Sequence, residues 1–116
     1  MTTVNFNLIG FLVLFASASV FADEPVADSG SFDEKLNACA ACHGQNGDTP
    51  LAPEYPLLAG QYQSYLANAL RQYRDGQRTN PIMALQLDIL KLTDADIEAL
   101  ASHFSAQSGK LHSLAD

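Results

Sequence analysis

Two stretches of the chain carry apolar side chains at helical spacing. Between residues 62 and 73 they recur every three or four positions, at Tyr62, Tyr65, Leu66, Ala69, Leu70 and Tyr73. Between residues 97 and 104 the same spacing places them at Ile97, Leu100, Ala101 and Phe104. No stretch alternates apolar and polar residues as a half-buried strand requires. The pattern therefore predicts an all-α fold.

Two capping patterns indicate where helices begin. Ser31 is followed by Glu34, and Thr93 by Asp96, with a side-chain acceptor first and a carboxylate three residues later. In this arrangement each side chain binds a backbone N–H group that the first helical turn leaves unpaired. We therefore expect one helix to start after Ser31 and another after Thr93.

Glycine and proline residues indicate where the helices end. A glycine-rich turn at residues 44–48 follows the first helix, and Asp75-Gly76 follows the 62–73 helix. Three prolines within residues 49–58 make that segment irregular. Residues 84–90 can add one or two helical turns, so the sequence predicts three to four helices.

The N-terminus has the pattern of an export signal. Residues 1–22 contain no charged side chain, and the mostly apolar run from Leu8 to Val20 is too short for a comfortable membrane span. Val20-Phe21-Ala22 offers small side chains at the two positions that a signal peptidase recognises. Because no Lys or Arg precedes the apolar run, an uncleaved anchor remains an alternative. Both interpretations predict a periplasmic protein.

The remaining chain has the length of one domain. We expect a signal peptide at residues 1–22, a linker at 23–30, the folded domain at 31–107 and a loosely held tail at 108–116. Thirteen acidic residues against six basic ones give a net charge of −7. This charge excludes a nucleic-acid partner and suits docking to a basic protein face.

Cys39-Ala40-Ala41-Cys42-His43 is the attachment pattern of a covalently bound c-type haem. Cys39 and Cys42 can form thioethers with the two porphyrin vinyl groups, and His43 can bind the iron. On a helix the three side chains share one face. A zinc site would require further cysteines, which the chain lacks. A thioredoxin-like dithiol would follow a strand, and no strand pattern precedes this one.

Met83 is the main candidate for a second axial ligand. If residues 1–22 are removed, it is the only methionine of the protein. It follows Pro81, which disfavours helix before it, so we expect Met83 in a loop between two helices. A core methionine is one alternative. His103 and His112 are the rival ligands.

These motifs identify a resemblance to class I bacterial c-type cytochromes, and within them to a single domain of the cytochrome c-four branch. The resemblance spans residues 31–107 and is carried by Cys39 to Gly44, Tyr55 to Gln61, Tyr65-Leu66, Gly76 to Asn80, Met83 and Leu92 to Ile97. It implies the class I cytochrome c fold, with three to four helices around one covalent haem. It also implies His43 and Met83 as axial ligands, with the carbonyl oxygen of Pro56 binding the other ring nitrogen of His43.

Two details of the resemblance stay open. His103 stands where an aromatic residue that packs on the first helix is usual in the family. For the haem propionates, the residues leave the choice between Arg78 and Gln61.

The expected function is electron transfer and not catalysis. With both axial positions filled, no open position remains for oxygen or a substrate. We expect redox proteins or membrane respiratory complexes as donor and acceptor, with membrane contact only transient or through an uncleaved N-terminal segment. One alternative is a haem subunit of a larger redox enzyme, such as a flavoprotein dehydrogenase. Another is a five-coordinate sensor or peroxidase-like protein, if Met83 does not bind.

Overall fold

The computed structural model of the protein describes residues 30–109. The predictions for the signal segment, most of the linker, His112 and the tail beyond Gly109 lie outside the described residues. Within residues 30–109 the structure contains four helices and no strand: α1 Phe32–His43, α2 Gln63–Arg74, α3 Pro81–Leu90 and α4 Asp94–Ser105. The all-α prediction is therefore confirmed, with the short fourth helix present. No helix of this range is long and apolar enough to cross a bilayer.

Both predicted capping boxes form. At α1 the Glu34 N–H donates to the Ser31 hydroxyl at 3.3 Å, and the Ser31 N–H donates to the Glu34 carboxylate at 2.8 Å. At α4 Thr93 and Asp96 make the same reciprocal pair, at 3.2 and 2.8 Å. Such caps stabilise a helix by about 1 kcal/mol each.

Helix α3 begins earlier than expected, and the loop position predicted for Met83 is wrong. Asn80 is extended, as predicted, but its side chain accepts hydrogen bonds from the N–H groups of Ile82 and Met83, both at 3.1 Å. Pro81 then occupies the first helical position, where its missing N–H costs nothing and its fixed φ favours the helix. Met83 consequently lies in the first turn of α3.

The core is formed where α4 packs against α1 and α2, and where α2 packs against α3. The buried apolar residues are Leu66, Ala67, Leu87, Leu92, Ile97, Leu100, Ala101 and Phe104. Ile97, Leu100, Ala101 and Phe104 are the predicted apolar face of α4. Cys39 and Met83 pack against this cluster from α1 and α3. The haem motif is thus attached directly to the core.

A buried ion pair joins α1 to the start of α4. Lys35 is only 2% exposed, and its ammonium lies 2.9 Å from the carboxylate of Asp96. Asp96 also completes the capping box of α4 through Thr93. The pair therefore links the helix that carries the haem motif to the capped end of α4.

The irregular segment between α1 and α2 is anchored through Gly47. Its carbonyl oxygen accepts hydrogen bonds from the N–H groups of Leu58 and Ala59, at 2.8 and 3.1 Å. Gly47 has φ +73°, and a Cβ there would lie 2.8 Å from the Phe104 ring. Only glycine fits this conformation and this close approach. The anchor holds the segment that contains Pro56 beside the end of α1.

Candidate functional site

The haem motif forms the last turn of α1 and opens onto a cavity of about 500 Å³. Cys39, Cys42 and His43 all line this cavity, as their shared helix face predicts. The peptide chain beyond the motif is held close by the Leu51 N–H, which donates to the Cys42 carbonyl at 2.8 Å. The two thiols and the imidazole are therefore presented together to one enclosed space.

His43 is buried and its ring is oriented by the main chain. It is 5% exposed, and its Nδ1 lies 2.9 Å from the carbonyl oxygen of Pro56. Because a carbonyl only accepts, Nδ1 carries the proton, and Nε2 keeps a free lone pair for a metal. The ring of Tyr55 packs edge-on at 6.1 Å between centroids. The expected contact between His43 and Pro56 is present.

Met83 lines the same cavity from α3. It is partly buried and packs against the core cluster. The cap that Asn80 makes on its N–H group fixes the helical turn from which the side chain projects. A thioether and an imidazole, held by separate helices, thus face one space.

The cavity wall fits a porphyrin. Most of it is apolar and comes from α2, α3 and α4, with Leu66, Ala69, Leu70, Leu87, Leu100, Ala101 and Phe104 among the lining residues. Leu58 and Gln61 line it from the irregular segment. The charged side chains of the lining are Glu54 and Arg78. A porphyrin is flat and apolar and carries its charges on one edge, and this shape and polarity match the cavity wall.

Burial also affects the thiols. It raises the pKa of the Cys39 thiol to about 11, and the neighbouring Cys42 adds to the rise. In this structure the Cys39 thiol is therefore neutral at pH 7.

His103 does not line the cavity. It lies on α4, where its ring contacts Phe104 at 5.2 Å and Phe32 of α1 at 6.2 Å between centroids. Its Nε2 is buried, and no residue between 30 and 109 gives it a hydrogen-bond partner. His103 is thus a residue of the α1–α4 contact.

Comparison with known proteins agrees with this geometry. The family profile described as Cytochrome c matches residues 31–107. The chain belongs to the cytochrome c family. It carries one haem c, attached covalently through the motif that contains Cys39, Cys42 and His43, and the family consists of electron carriers and not of catalysts.

Individual relatives place the chain within the family. It is 41% identical to cytochrome c-554(548) of Halomonas halodenitrificans over 81 residues, which cover 69% of this chain and 96% of that protein. It is 35% identical to cytochrome c4 of Pseudomonas aeruginosa over 80 residues, or 69% of this chain and 38% of that one. A thiosulfate dehydrogenase electron acceptor of Thiomonas intermedia is 38% identical over 97 residues, which cover 84% of this chain and 40% of the relative. The chain therefore matches about two fifths of these longer relatives and nearly all of the Halomonas protein.

One feature of the site escaped the sequence pattern. Tyr65 and Tyr73 follow the helical spacing of α2 and were expected only as packing residues, yet both line the cavity. Arg78 lies between them and lines it too. An arginine five positions after the second tyrosine is the one sequence signal that could have linked them.

Proposed function

We propose that His43 and Met83 are the two axial ligands of the haem iron and that the protein shuttles single electrons between redox partners. One observation carries this proposal: the imidazole of His43 and the thioether of Met83 line a single cavity together with both motif cysteines. The hydrogen bond to Pro56 leaves Nε2 of His43 available for iron. The thioether of Met83 is a soft donor that suits ferrous iron.

The chain holds this site in one arrangement in both redox states. A haem with both axial positions filled supplies a one-electron couple and no open position for a substrate. Pro56 fixes the ring orientation of His43, and the cap at Asn80 fixes the turn that carries Met83. The apolar wall excludes water and so favours the less charged ferrous form. A rigid, dry site needs little rearrangement when an electron moves.

An absorption spectrum of the ferric holoprotein tests the ligand assignment. Sulfur-to-iron ligation gives a weak charge-transfer band in the near-red, which we expect to observe. The intact mass of the denatured protein should equal polypeptide plus haem, because two thioethers survive unfolding. A spectrum without the band, from protein that carries the haem mass, would reject Met83 as a ligand and leave the haem assignment intact.

We also propose that the protein works in the periplasm. The support is the uncharged segment at residues 1–22, with small residues at the cleavage positions before Asp23. Fractionation of expressing cells should place the haem protein with periplasmic markers, and the intact mass should begin at residue 23. A mass that retains residues 1–22 and a membrane-bound fraction would favour the uncleaved anchor.

The proposed partners are redox proteins or membrane respiratory complexes. Two relatives bear the name thiosulfate dehydrogenase electron acceptor, and they match this chain at 38% and 31% identity. A periplasmic dehydrogenase is therefore a reasonable donor class for this chain. Stopped-flow reduction by such a dehydrogenase, followed by the ferrous absorption bands, measures the exchange directly.

A stable subunit of a larger redox enzyme is the second candidate, and the surface of α3 favours it. Leu85 and Ile89 lie one turn apart on this helix, outside the haem cavity, and are 57% and 61% exposed. An apolar stripe of this kind is often covered by a partner. The native mass of the holoprotein purified from its own cells distinguishes the candidates, since a shuttle is isolated without a stoichiometric dehydrogenase.

A further inference from the structure

Helix α3 is apolar on two opposite sides. Its inner side, with Met83 and Leu87, lines the haem cavity. The exposed residues of α3 form its outer face: Pro81, Ile82, Ala84, Leu85, Asp88 and Ile89. Ile82 also borders the cavity, whereas Leu85 and Ile89 lie outside it and are 57% and 61% exposed. A surface helix normally carries polar side chains towards water, and a helix that is apolar on all sides is normally covered. The outer face of α3 therefore has the composition of a contact surface.

This outer face carries no net charge, although the whole chain has a net charge of −7. Its single acidic residue, Asp88, is neutralised by Lys91 at 2.6 Å. The acidic side chains that form no ion pair within residues 30–109 lie in the first turn of α1 and in the irregular segment before α2. They are Asp33, Glu34, Asp48 and Glu54. A basic partner is thus attracted to these residues and not to the outer face of α3.

A second copy of the chain is the partner that suits an uncharged apolar face on an acidic protein. Two molecules of equal charge repel each other, so they approach most easily where each carries no net charge. Leu85 and Ile89 lie one helical turn apart, so a twofold axis between them sets Leu85 of each copy against Ile89 of the other. Such a contact is self-complementary and covers the same apolar side chains in both copies.

We propose that two holoprotein molecules associate reversibly through the outer faces of their α3 helices. Stable complexes use about 20–30 residues a side, whereas this face has six. The association is therefore weak and depends on concentration, and it leaves the acidic residues of each copy available to a basic redox partner. It depends neither on the sixth ligand of the iron nor on the identity of that redox partner, so it can fail while the proposed function holds.

Sedimentation equilibrium of the holoprotein between about 10 µM and 1 mM measures this association. We expect the average mass to rise towards that of a dimer. Leu85→Gln should raise the dissociation constant about tenfold or more, because the lost apolar contact counts twice in a twofold interface. Ile89→Gln should have a similar effect. Leu51→Gln is the matched control, since Leu51 is 75% exposed but lies in the irregular segment, and its replacement should leave the dissociation constant unchanged.

Salt provides a second measurement, on the wild-type protein. Screening weakens the repulsion between two acidic copies, so the dimer should become tighter as salt rises from about 10 to 200 mM. A dimer that becomes weaker with salt would be held by charges and would overturn the proposal. An equal loss of association in Leu51→Gln and Leu85→Gln would overturn it as well.

A holoprotein that remains monomeric at about 1 mM also overturns the proposal. If Leu85→Gln in that case slows reduction by a dehydrogenase while Leu51→Gln does not, the outer face of α3 is a dehydrogenase contact instead. The absorption spectrum of each variant verifies that the haem is bound before its mass is measured.

Discussion

Lys35 of α1 and Asp96 of α4 form a buried ion pair of 2.9 Å that ties the haem-bearing helix to a helix cap. The lysine is 2% exposed and the aspartate side chain 17%. Burying two charges is costly, and such a pair is kept only where the remaining polar atoms are satisfied. Asp96 meets this condition, because its other oxygen accepts from Thr93. The pair is thus part of the α1–α4 contact and of the cap.

Removal of Lys35 should destabilise the protein strongly. Lys35→Met keeps the apolar stem but leaves the carboxylate of Asp96 without its cation, so we expect the free energy of unfolding to fall by about 2–4 kcal/mol. Lys91→Met removes a lysine from an exposed pair with Asp88 and should cost about 0.5 kcal/mol. Chemical denaturation of both holoproteins measures the two values, and equal losses would contradict the buried-pair interpretation.

Because of the same ion pair, the free energy of unfolding should depend on pH in the acidic range. Burial alone would raise the pKa of Asp96, but the hydrogen bonds from Lys35 and Thr93 outweigh it and hold the pKa below its usual value. The contribution of the Asp96 carboxylate to the free energy of unfolding is therefore fully present above its unfolded pKa of about 3.9. It is lost as the pH falls through the lower pKa of the folded state. Thermal unfolding between pH 6 and 2.5 should show this loss in wild type and a smaller one in Lys35→Met.

Met83 should control the reduction potential. Met83→His keeps six-coordination but replaces sulfur by imidazole, which supports ferric iron better, so the potential should fall within the roughly 0.8 V range that axial ligands span. Met83→Ala should open the iron to carbon monoxide. A wild-type spectrum and potential retained in Met83→Ala would show that another group is the ligand.

His103→Phe should stabilise the protein. The buried Nε2 lacks a hydrogen-bond partner in the part of the chain that the structure describes, which costs about 1–3 kcal/mol, whereas phenylalanine keeps the ring contacts with Phe32 and Phe104. We expect a gain of about 1 kcal/mol in the free energy of unfolding. His103→Leu is the control, since it removes the polar atom without supplying a ring. A loss of stability in His103→Phe would indicate a water bound at Nε2.

The haem-free chain should not keep this fold. The haem body packs against the apolar walls that α2, α3 and α4 contribute to a cavity of about 500 Å³, and without it a domain of this size loses much of its apolar contact area. Circular dichroism of the apoprotein should show little native helicity. A cooperative thermal transition at native helicity would mean that the protein core is sufficient without haem.

The sequence predicted the elements whose signals are local. The capping boxes at Ser31 and Thr93, and the convergence of Cys39, Cys42 and His43 on one face, follow from spacing alone. The start of α3 at Pro81 was predicted wrongly, because proline disfavours helix in the residue before it but is favourable as the first residue of a helix. Which of the two applies here depends on the cap that the Asn80 side chain makes. The burial of Lys35 and the position of Arg78 over the rings of Tyr65 and Tyr73 could not be predicted. Both depend on how the helices pack together, and the spacing of residues along the chain does not specify this packing.

The hydrogen bond from His43 to Pro56 ends on a main-chain oxygen, so replacement of the Pro56 side chain cannot remove the acceptor. The orientation of this imidazole is consequently set by the path of the chain, which Gly47 anchors. Changes in the number of residues between Gly44 and Tyr62 alter that path. Insertions and deletions in this segment should therefore disturb the orientation of His43, and so should a side chain at Gly47, whereas replacement of the exposed side chains should leave it in place.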